Sequence, residues 1–93
     1  MFKVNEYFDG KGKSIAFTAD GGPATVGVMA AGEYEFGTSQ VEHMTLVSGQ
    51  MAVQLPNEPD WRAIGVGETF VVPANVTFGV RIDEEASYLC LYK

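Results

Sequence analysis

Glu42 is the residue of this chain whose setting most suggests chemistry. It lies in the stretch Gly32–Gly49, GEYEFGTSQVEHMTLVSG, with six residues between it and the turn glycine Gly49. Side chains alternate between the two faces of a strand, so Glu42 lies on one face, as a carboxylate ligand does in a metal site built on strands. The positions where a site of this layout needs imidazoles hold Phe36 and Thr38 instead. The pattern therefore indicates a metal-type site that has lost its metal ligands.

The single histidine does not repair this site. His43 directly follows Glu42, so on a strand it points to the opposite face. One carboxylate alone does not hold a divalent transition metal. We therefore expect no metal and no cofactor beside Glu42.

The single cysteine, Cys90, lies in the apolar run YLCLY with no basic residue adjacent. A reactive thiolate needs a nearby positive charge, so we interpret Cys90 as a buried structural residue. One cysteine forms no internal disulfide, which fits a reducing cytosol and predicts a cytoplasmic protein.

The composition limits the domain organisation and the partners. A chain of 93 residues, 46% hydrophobic, predicts a single domain, residues 1–93, with one modest core. Six basic against 12 acidic residues give a net charge of −6, which argues against nucleic acid and anionic membranes as partners. No apolar run is long enough to span a membrane, and we identify no signal peptide. Because a domain this small gains from burial in a partner, we expect a homodimer, with Lys3–Phe17 as the segment that crosses over.

Short strands must position the functional residues. Turn signals recur at short intervals from Asp9-Gly10 to Asp83-Glu84-Glu85, and the runs between them are rich in Val, Ile, Phe, Tyr and Thr. No stretch sustains a helical period, so the sequence predicts an all-β sandwich or barrel with little helix. In Val41–Ser48, alternation puts Glu42 and Met44 on one face.

Two motifs resemble the cupin family. Glu42 and Gly49 match the end of the first cupin motif, and Gly67–Asn75, GETFVVPAN, resembles the start of the second. The resemblance implies a single cupin-type antiparallel β-barrel, jelly-roll-like, in which Phe36 and Phe78 occupy positions of histidine ligands. It therefore implies a metal-independent protein, because a metal-dependent cupin oxygenase or isomerase needs histidines that this chain lacks.

Further segments resemble one small group of cupins along nearly the whole chain. These segments are Asn5–Ile15, Thr25–Met29, Gly32–Thr38, Glu42–Thr45, Trp61, Val72–Ala74 and Tyr88–Cys90. The group is the pyrimidine/purine nucleoside phosphorylases. The resemblance implies an enzyme, a pentosyl-transferring glycosyltransferase, that cleaves purine and pyrimidine nucleosides with phosphate to free base and ribose 1-phosphate.

The implied chemistry assigns roles to residues near Glu42. A carboxylate in the lumen accepts hydrogen bonds from ribose hydroxyls and favours positive charge at the anomeric carbon. In an apolar lumen its pKa would rise, and it could instead protonate the leaving base. We therefore predict Glu42 as the catalytic residue, with aromatic neighbours that stack on either class of base. The predicted substrate contacts are Tyr34, Phe36, Thr38, Met44, Phe78 and Tyr88.

Phosphate binding is the least supported part of this hypothesis. The segment Gly10–Ser14 offers Lys11, Lys13 and Ser14 beside a glycine turn, which predicts an anion contact. The alternative for the two lysines is a solvated pair that protects an edge strand from aggregation. A second hypothesis for the whole protein is a non-catalytic cupin that binds a small polar metabolite. Lys11 and Lys13 lying far from Glu42, with no other cation there, would favour that hypothesis.

Overall fold

The computed structural model describes residues 2–93 and consists almost entirely of antiparallel strands. A 3₁₀ turn at Phe8–Gly10 is the one helical element in that range, and no helix there is long and apolar enough to cross a membrane. The predicted all-β fold with little helix is confirmed. The strands are β1 (Lys3–Tyr7), β2 (Gly12–Ala19), β3 (Gly22–Met29), β4 (Gly32–Gly37), β5 (Glu42–Ser48), β6 (Met51–Gln54), β7 (Arg62–Ile64), β8 (Thr69–Val72), β9 (Thr77–Ile82) and β10 (Ala86–Tyr92).

The strands form two sheets. The six-stranded sheet has the order β1-β2-β3-β10-β5-β8, and the four-stranded sheet has the order β4-β9-β6-β7. After β3 the chain passes repeatedly from one sheet to the other, which gives the jelly-roll-like arrangement predicted from the sequence. The two sheets pack face to face and are not closed into one barrel. They enclose the core as a sandwich, in which strand pairing does not continue from one sheet to the other.

The core lies between the two sheets and follows the period of the strands. Met51 and Val53 of β6 are buried, as are Phe78, Val80 and Ile82 of β9. Successive side chains of a strand point to opposite faces, so these residues all face the other sheet. The burial therefore shows which face of each of these two strands points into the core.

The C-terminal strand β10 lies at the centre of the six-stranded sheet. It pairs with β3 on one side and with β5 on the other. The register sets Cys90 opposite both Thr25 and Met44, and it sets Tyr92 opposite Glu42. This pairing brings the inward-facing polar groups of three strands together.

Gly49 ends β5 for a steric reason. Its φ is +92°, and a Cβ at this position would lie 2.6 Å from the backbone oxygen of Glu85. A residue with a side chain would be strained by the backbone angle and would also clash with that oxygen. The glycine of the first motif therefore sets the turn that follows the Glu42 strand.

Candidate functional site

A cavity of about 160 Å³ lies between the two sheets, and Glu42 is part of its wall. Both sheets contribute to it: β1, β5 and β10 from the larger sheet and β4 and β9 from the smaller. Pockets for small molecules are typically about 300–1,000 Å³, so this cavity fits part of a metabolite. The lining residues are Tyr7, Phe36, Gly37, Glu42, Met44, Phe78, Tyr88, Cys90 and Tyr92.

The Glu42 carboxylate is half-buried in this wall, next to a thiol. Its Oε1 atom lies 3.6 Å from Sγ of Cys90, which donates a hydrogen bond to it. Burial raises the pKa of the Glu42 carboxyl above its usual value, and the hydrogen bond from Cys90 opposes part of that rise. The neighbouring His43 pairs in register with Val71 on the outer face of the sheet. Glu42 and His43 therefore lie on opposite faces of β5, as the sequence predicts.

Cys90 donates a hydrogen bond to Glu42 from a buried position. Burial, together with the negative charge of Glu42, raises the pKa of the Cys90 thiol to about 12, so the thiol is protonated and donates. The Tyr92 hydroxyl lies 3.0 Å from Oγ1 of Thr25, and either hydroxyl can be the donor of that hydrogen bond. Thr25, Tyr92 and Cys90 therefore place three neutral polar groups on the side of the sheet that carries Glu42.

Aromatic rings form the opposite wall. Phe36 and Phe78 are stacked, with their centroids 5.8 Å apart and their planes 26° apart. Phe8 packs edge-on against Phe36 at 5.3 Å and remains 41% exposed, so it lies on the solvent side of this pair. Phe8 has a φ of +51°, an uncommon conformation for a residue with a side chain. Phe78 is 3% exposed, so Phe36 is the ring of the pair that a planar group could reach.

Tyr7 brings a hydroxyl to the cavity from the edge strand β1. Its oxygen lies 2.6 Å from Oγ of Ser14, and Nδ2 of Asn5 donates to the same Oγ at 3.3 Å. Ser14 is only 2% exposed, and either hydroxyl can be the donor of its hydrogen bond with Tyr7. When Ser14 donates to Tyr7, the Tyr7 proton is available to the cavity.

Tyr88 lies across the inner face of β3. A Cβ on Gly27 would fall 2.4 Å from Cζ of Tyr88, so the ring occupies the space that a side chain there would need. Burial raises the pKa of the Tyr88 phenol well above its usual value, as does the nearby Tyr7. Tyr88 is therefore a neutral hydroxyl throughout the physiological pH range.

Two of the predicted substrate contacts lie outside the cavity lining. Thr38 is buried, and its hydroxyl donates to the backbone oxygen of Pro73 at 2.6 Å, which holds the turn between β8 and β9. The Tyr34 hydroxyl donates to the backbone oxygen of Ala30 at 2.8 Å. The structure gathers the other predicted contacts, Phe36, Met44, Phe78 and Tyr88, around Glu42.

The three predicted phosphate contacts lie on two sides of one sheet. Lys11 and Lys13 line a separate cleft of about 470 Å³ on the outer face, and Lys13 lies 3.9 Å from a carboxylate oxygen of Glu6. Ser14 points inward to Tyr7. Within residues 2–93, no lysine, arginine or histidine belongs to the lining of the Glu42 cavity. A single anion site built by all three residues is therefore not formed, and phosphate binding at the outer cleft stays a prediction.

Sequence reasoning missed several groups that surround Glu42. Cys90 and Tyr92 follow Tyr88 at the period of a strand, so alternation would have placed all three on one face. Tyr7 and Asn5 depend on the pairing of β1 with β2, for which the sequence carries no direct signal. In the described part of the chain, no cluster of three or more His, Cys, Asp or Glu residues has the geometry to hold a metal ion.

Comparison with known proteins gives a consistent result. A family model described as pyrimidine/purine nucleoside phosphorylase matches residues 2–92. Proteins of that name from Pseudomonas fluorescens (strain Pf0-1) and Pseudomonas aeruginosa (strain LESB58) are 58% and 56% identical over 93 residues. The match covers 100% of this chain in both cases and 99% and 100% of the two relatives. A crystal structure of a protein of unknown function from Vibrio parahaemolyticus is similar at a TM-score of 0.92 and 41% identity, covering 97% of this chain and 96% of that one.

Proposed function

The chain belongs to the pyrimidine/purine nucleoside phosphorylase family, and we propose that its Glu42 cavity is where it cleaves purine and pyrimidine nucleosides with phosphate. The products are free base and ribose 1-phosphate. The observation that carries this placement is a half-buried carboxylate facing a stacked aromatic pair, Phe36 and Phe78, inside one small cavity.

The reaction needs stabilisation of a cationic sugar. A phosphate oxygen bonds to C1′ as the C1′–N bond breaks, the electron pair of that bond leaves with the base nitrogen, and the base takes up the proton that dihydrogen phosphate brings. Positive charge develops at C1′ in the transition state. The Glu42 carboxylate, which Cys90 holds in place, accepts hydrogen bonds from the ribose hydroxyls. Its negative charge offsets the positive charge that develops at C1′. Its ionised form is the active form in this scheme.

Base recognition falls to the aromatic wall. Phe78 is 3% exposed and backs Phe36, so the π-faces open to a base are those of Phe36 and the exposed Phe8, and stacking tolerates any base because every base has such a face. Because the cavity holds only part of a nucleoside, the ribose occupies it and the base extends toward Phe8 at the exposed side. Broad specificity then follows from contacts to base faces rather than to base edges.

Neutral donors are the best candidates for the phosphate contact. Tyr7 has a free hydroxyl proton when Ser14 donates to it, and Asn5 has a second amide N–H, since only one is used on Ser14. Ser14 itself is buried behind them and sets their orientation. In this arrangement Ser14 acts on phosphate through Tyr7 and Asn5.

The second candidate function is binding of a small polar metabolite without cleavage. The absence of a basic side chain from the cavity lining within residues 2–93 favours it, because phosphate is an anion. Family membership supports the enzyme, and neutral hydroxyl and amide groups also bind anions. Phosphate dependence distinguishes the two functions.

The direct test is incubation of the purified protein with a panel of purine and pyrimidine nucleosides, with and without phosphate, with detection of free base. We expect base release with both classes and only when phosphate is present. Binding of nucleosides without release would support the metabolite-binding function. Glu42→Gln is the matched control, since it keeps the shape of the side chain and removes its charge.

The protein also has features of a cytoplasmic homodimer. Apolar side chains are exposed in register across the outer face of β1, β2 and β3, where Val4 lies opposite Ile15 and Ile15 opposite Val26. Such a patch is unusual on a monomer and fits a second copy of the chain. Two of these residues belong to the segment Lys3–Phe17, which pairs within its own chain as β1 and β2. The single thiol, Cys90, is free and buried, which supports a reducing compartment.

A further inference from the structure

We propose that Cys90 is a positioning residue of the active site, which holds the Glu42 carboxylate through its S–H and maintains that carboxylate in the ionised form. This inference rests on the proposed role of Glu42. The thiol does not react and does not need to touch the substrate. Its effect reaches the sugar through the orientation and the charge of Glu42.

The first support is the direction of the hydrogen bonds. Sγ of Cys90 lies 3.6 Å from Oε1 of Glu42, and the buried thiol keeps its proton. Donation to a carboxylate stabilises the charged form, which otherwise loses the solvation that burial removes. In the absence of this bond, burial would act on Glu42 unopposed.

The second support is that the thiol is itself held in place. Cys90 lies on the central strand β10, opposite Thr25 of β3 and Met44 of β5, so the strands on both sides hold its backbone. Cys90 is 2% exposed and Thr25 is 6% exposed, so water does not compete for the S–H. The acceptor that the structure gives this S–H is the Glu42 carboxylate.

Among residues 2–93, no basic side chain lines the Glu42 cavity to compete for this control of Glu42. The edge-strand Lys3 shares the inner face in register with Thr25 and Cys90, but it is exposed to solvent. Strands β4, β8 and β9 bring uncharged side chains to Glu42. The titratable groups that face Glu42 are Tyr7 of β1 and Tyr88, Cys90 and Tyr92 of β10.

The test compares Cys90→Ala, which removes the donor, with Cys90→Ser, which keeps one. The pKa of Glu42 is measured directly from the ¹³C shift of its carboxyl carbon in the folded protein, with Glu42→Gln to assign the signal. We expect Cys90→Ala to raise this pKa above wild type and Cys90→Ser to keep it at or below wild type. An unchanged pKa in Cys90→Ala, or equal shifts in both variants, would overturn the inference.

Activity provides the second readout. If ionised Glu42 is the active form, the acid limb of kcat/KM moves to higher pH in Cys90→Ala. At a pH on that limb, Cys90→Ala should be roughly 3- to 10-fold less active than Cys90→Ser, because the loss of a charge-assisted hydrogen bond shifts the ionised fraction. A uniform loss of kcat with an unmoved limb would show a purely structural role and overturn the inference.

Two further measurements test the proposal if Cys90→Ala does not fold or if no nucleoside is cleaved. If Cys90→Ala does not fold, Glu42→Gln replaces the charged acceptor of the S–H by a neutral amide. The S–H stretching band, which belongs to Cys90 because the chain has a single cysteine, should then shift, and an unmoved band would contradict the hydrogen bond from Cys90 to Glu42. If the Glu42 pKa moves as expected but no nucleoside is cleaved, the proposed function fails and the coupling of Cys90 to Glu42 stands.

Discussion

The ring of Tyr88 occupies the place of a side chain on Gly27. An added Cβ would come within 2.4 Å of Cζ, far inside contact distance. Gly27→Ala should therefore displace Tyr88 from the cavity and destabilise the protein by roughly 1–3 kcal/mol, the usual cost of overpacking. Chemical denaturation of both proteins measures this loss.

A double-mutant cycle with Tyr88→Ala provides the control for this prediction. Without the ring, the alanine at position 27 meets no clash, so its cost should fall close to zero on the Tyr88→Ala background. Equal costs of Gly27→Ala on both backgrounds would show that the ring is not the cause.

Glu42→Gln should lower kcat by roughly 10²-fold or more. A charge placed at the reacting sugar acts most strongly in the transition state, so the loss appears in kcat rather than in KM alone. Steady-state kinetics with one purine and one pyrimidine nucleoside measures it. Wild-type turnover in Glu42→Gln would remove this residue from the mechanism.

The same substitution should stabilise the fold at neutral pH. Burial raises the pKa of Glu42 in the folded state above its unfolded value, so the folded state binds more protons between the two values. Stability therefore falls as the pH rises through that interval, and the penalty is complete above the folded pKa. We expect the Tm of Glu42→Gln to exceed that of wild type at pH 8, and the difference to shrink at pH 4. A difference that grows on acidification would contradict the direction of the pKa shift.

Phosphate KM distinguishes the two candidate anion sites. Tyr7→Phe removes one hydroxyl from the cavity and should raise the phosphate KM several-fold, as the loss of one hydrogen bond does. Lys13→Ala, on the outer face, should leave it nearly unchanged. The opposite ranking would support the lysine site predicted from the sequence.

The assembly prediction has a matched control. Ile15→Lys places a charge at the centre of the exposed apolar row on β1, β2 and β3 and should convert a dimer into monomers. Val66→Lys changes a valine that is 65% exposed in the turn between β7 and β8 and should have no such effect. Light scattering across the micromolar range measures both. A wild-type protein that is monomeric throughout this range would refute the homodimer.

The alternation of side chains along the strands predicted more of the site than the amino-acid composition did. It placed Glu42 and His43 on opposite faces of β5, as the structure shows. The same rule separates Lys13 from Ser14, since neighbours on a strand face opposite sides. The predicted anion contact grouped Lys13 with Ser14 as if the segment were a loop, whereas the segment is the start of β2.

The remaining parts of the site depend on strand pairing. Tyr7 reaches Ser14 only because β1 turns back on β2 through a 3₁₀ turn with positive φ at Phe8. The hydrogen bond between Cys90 and Glu42 depends on the pairing of β10 with β5, which lie far apart along the chain. Local patterns carry no information on such long-range partners, so the supporting groups of the carboxylate were not predictable from single residues.

The central position of β10 has a consequence for biosynthesis. The strand that joins β3 to β5 follows all the other strands of this sheet along the chain, so the six-stranded sheet remains in two pieces until Ala86–Tyr92 has been made. Until then the inner edges of β3 and β5 are unpaired strand edges, which are templates for aggregation. The sheet is therefore expected to form late and slowly, because its decisive contacts are non-local. Cys90, Tyr88 and Tyr92 reach the wall of the Glu42 cavity together in that step.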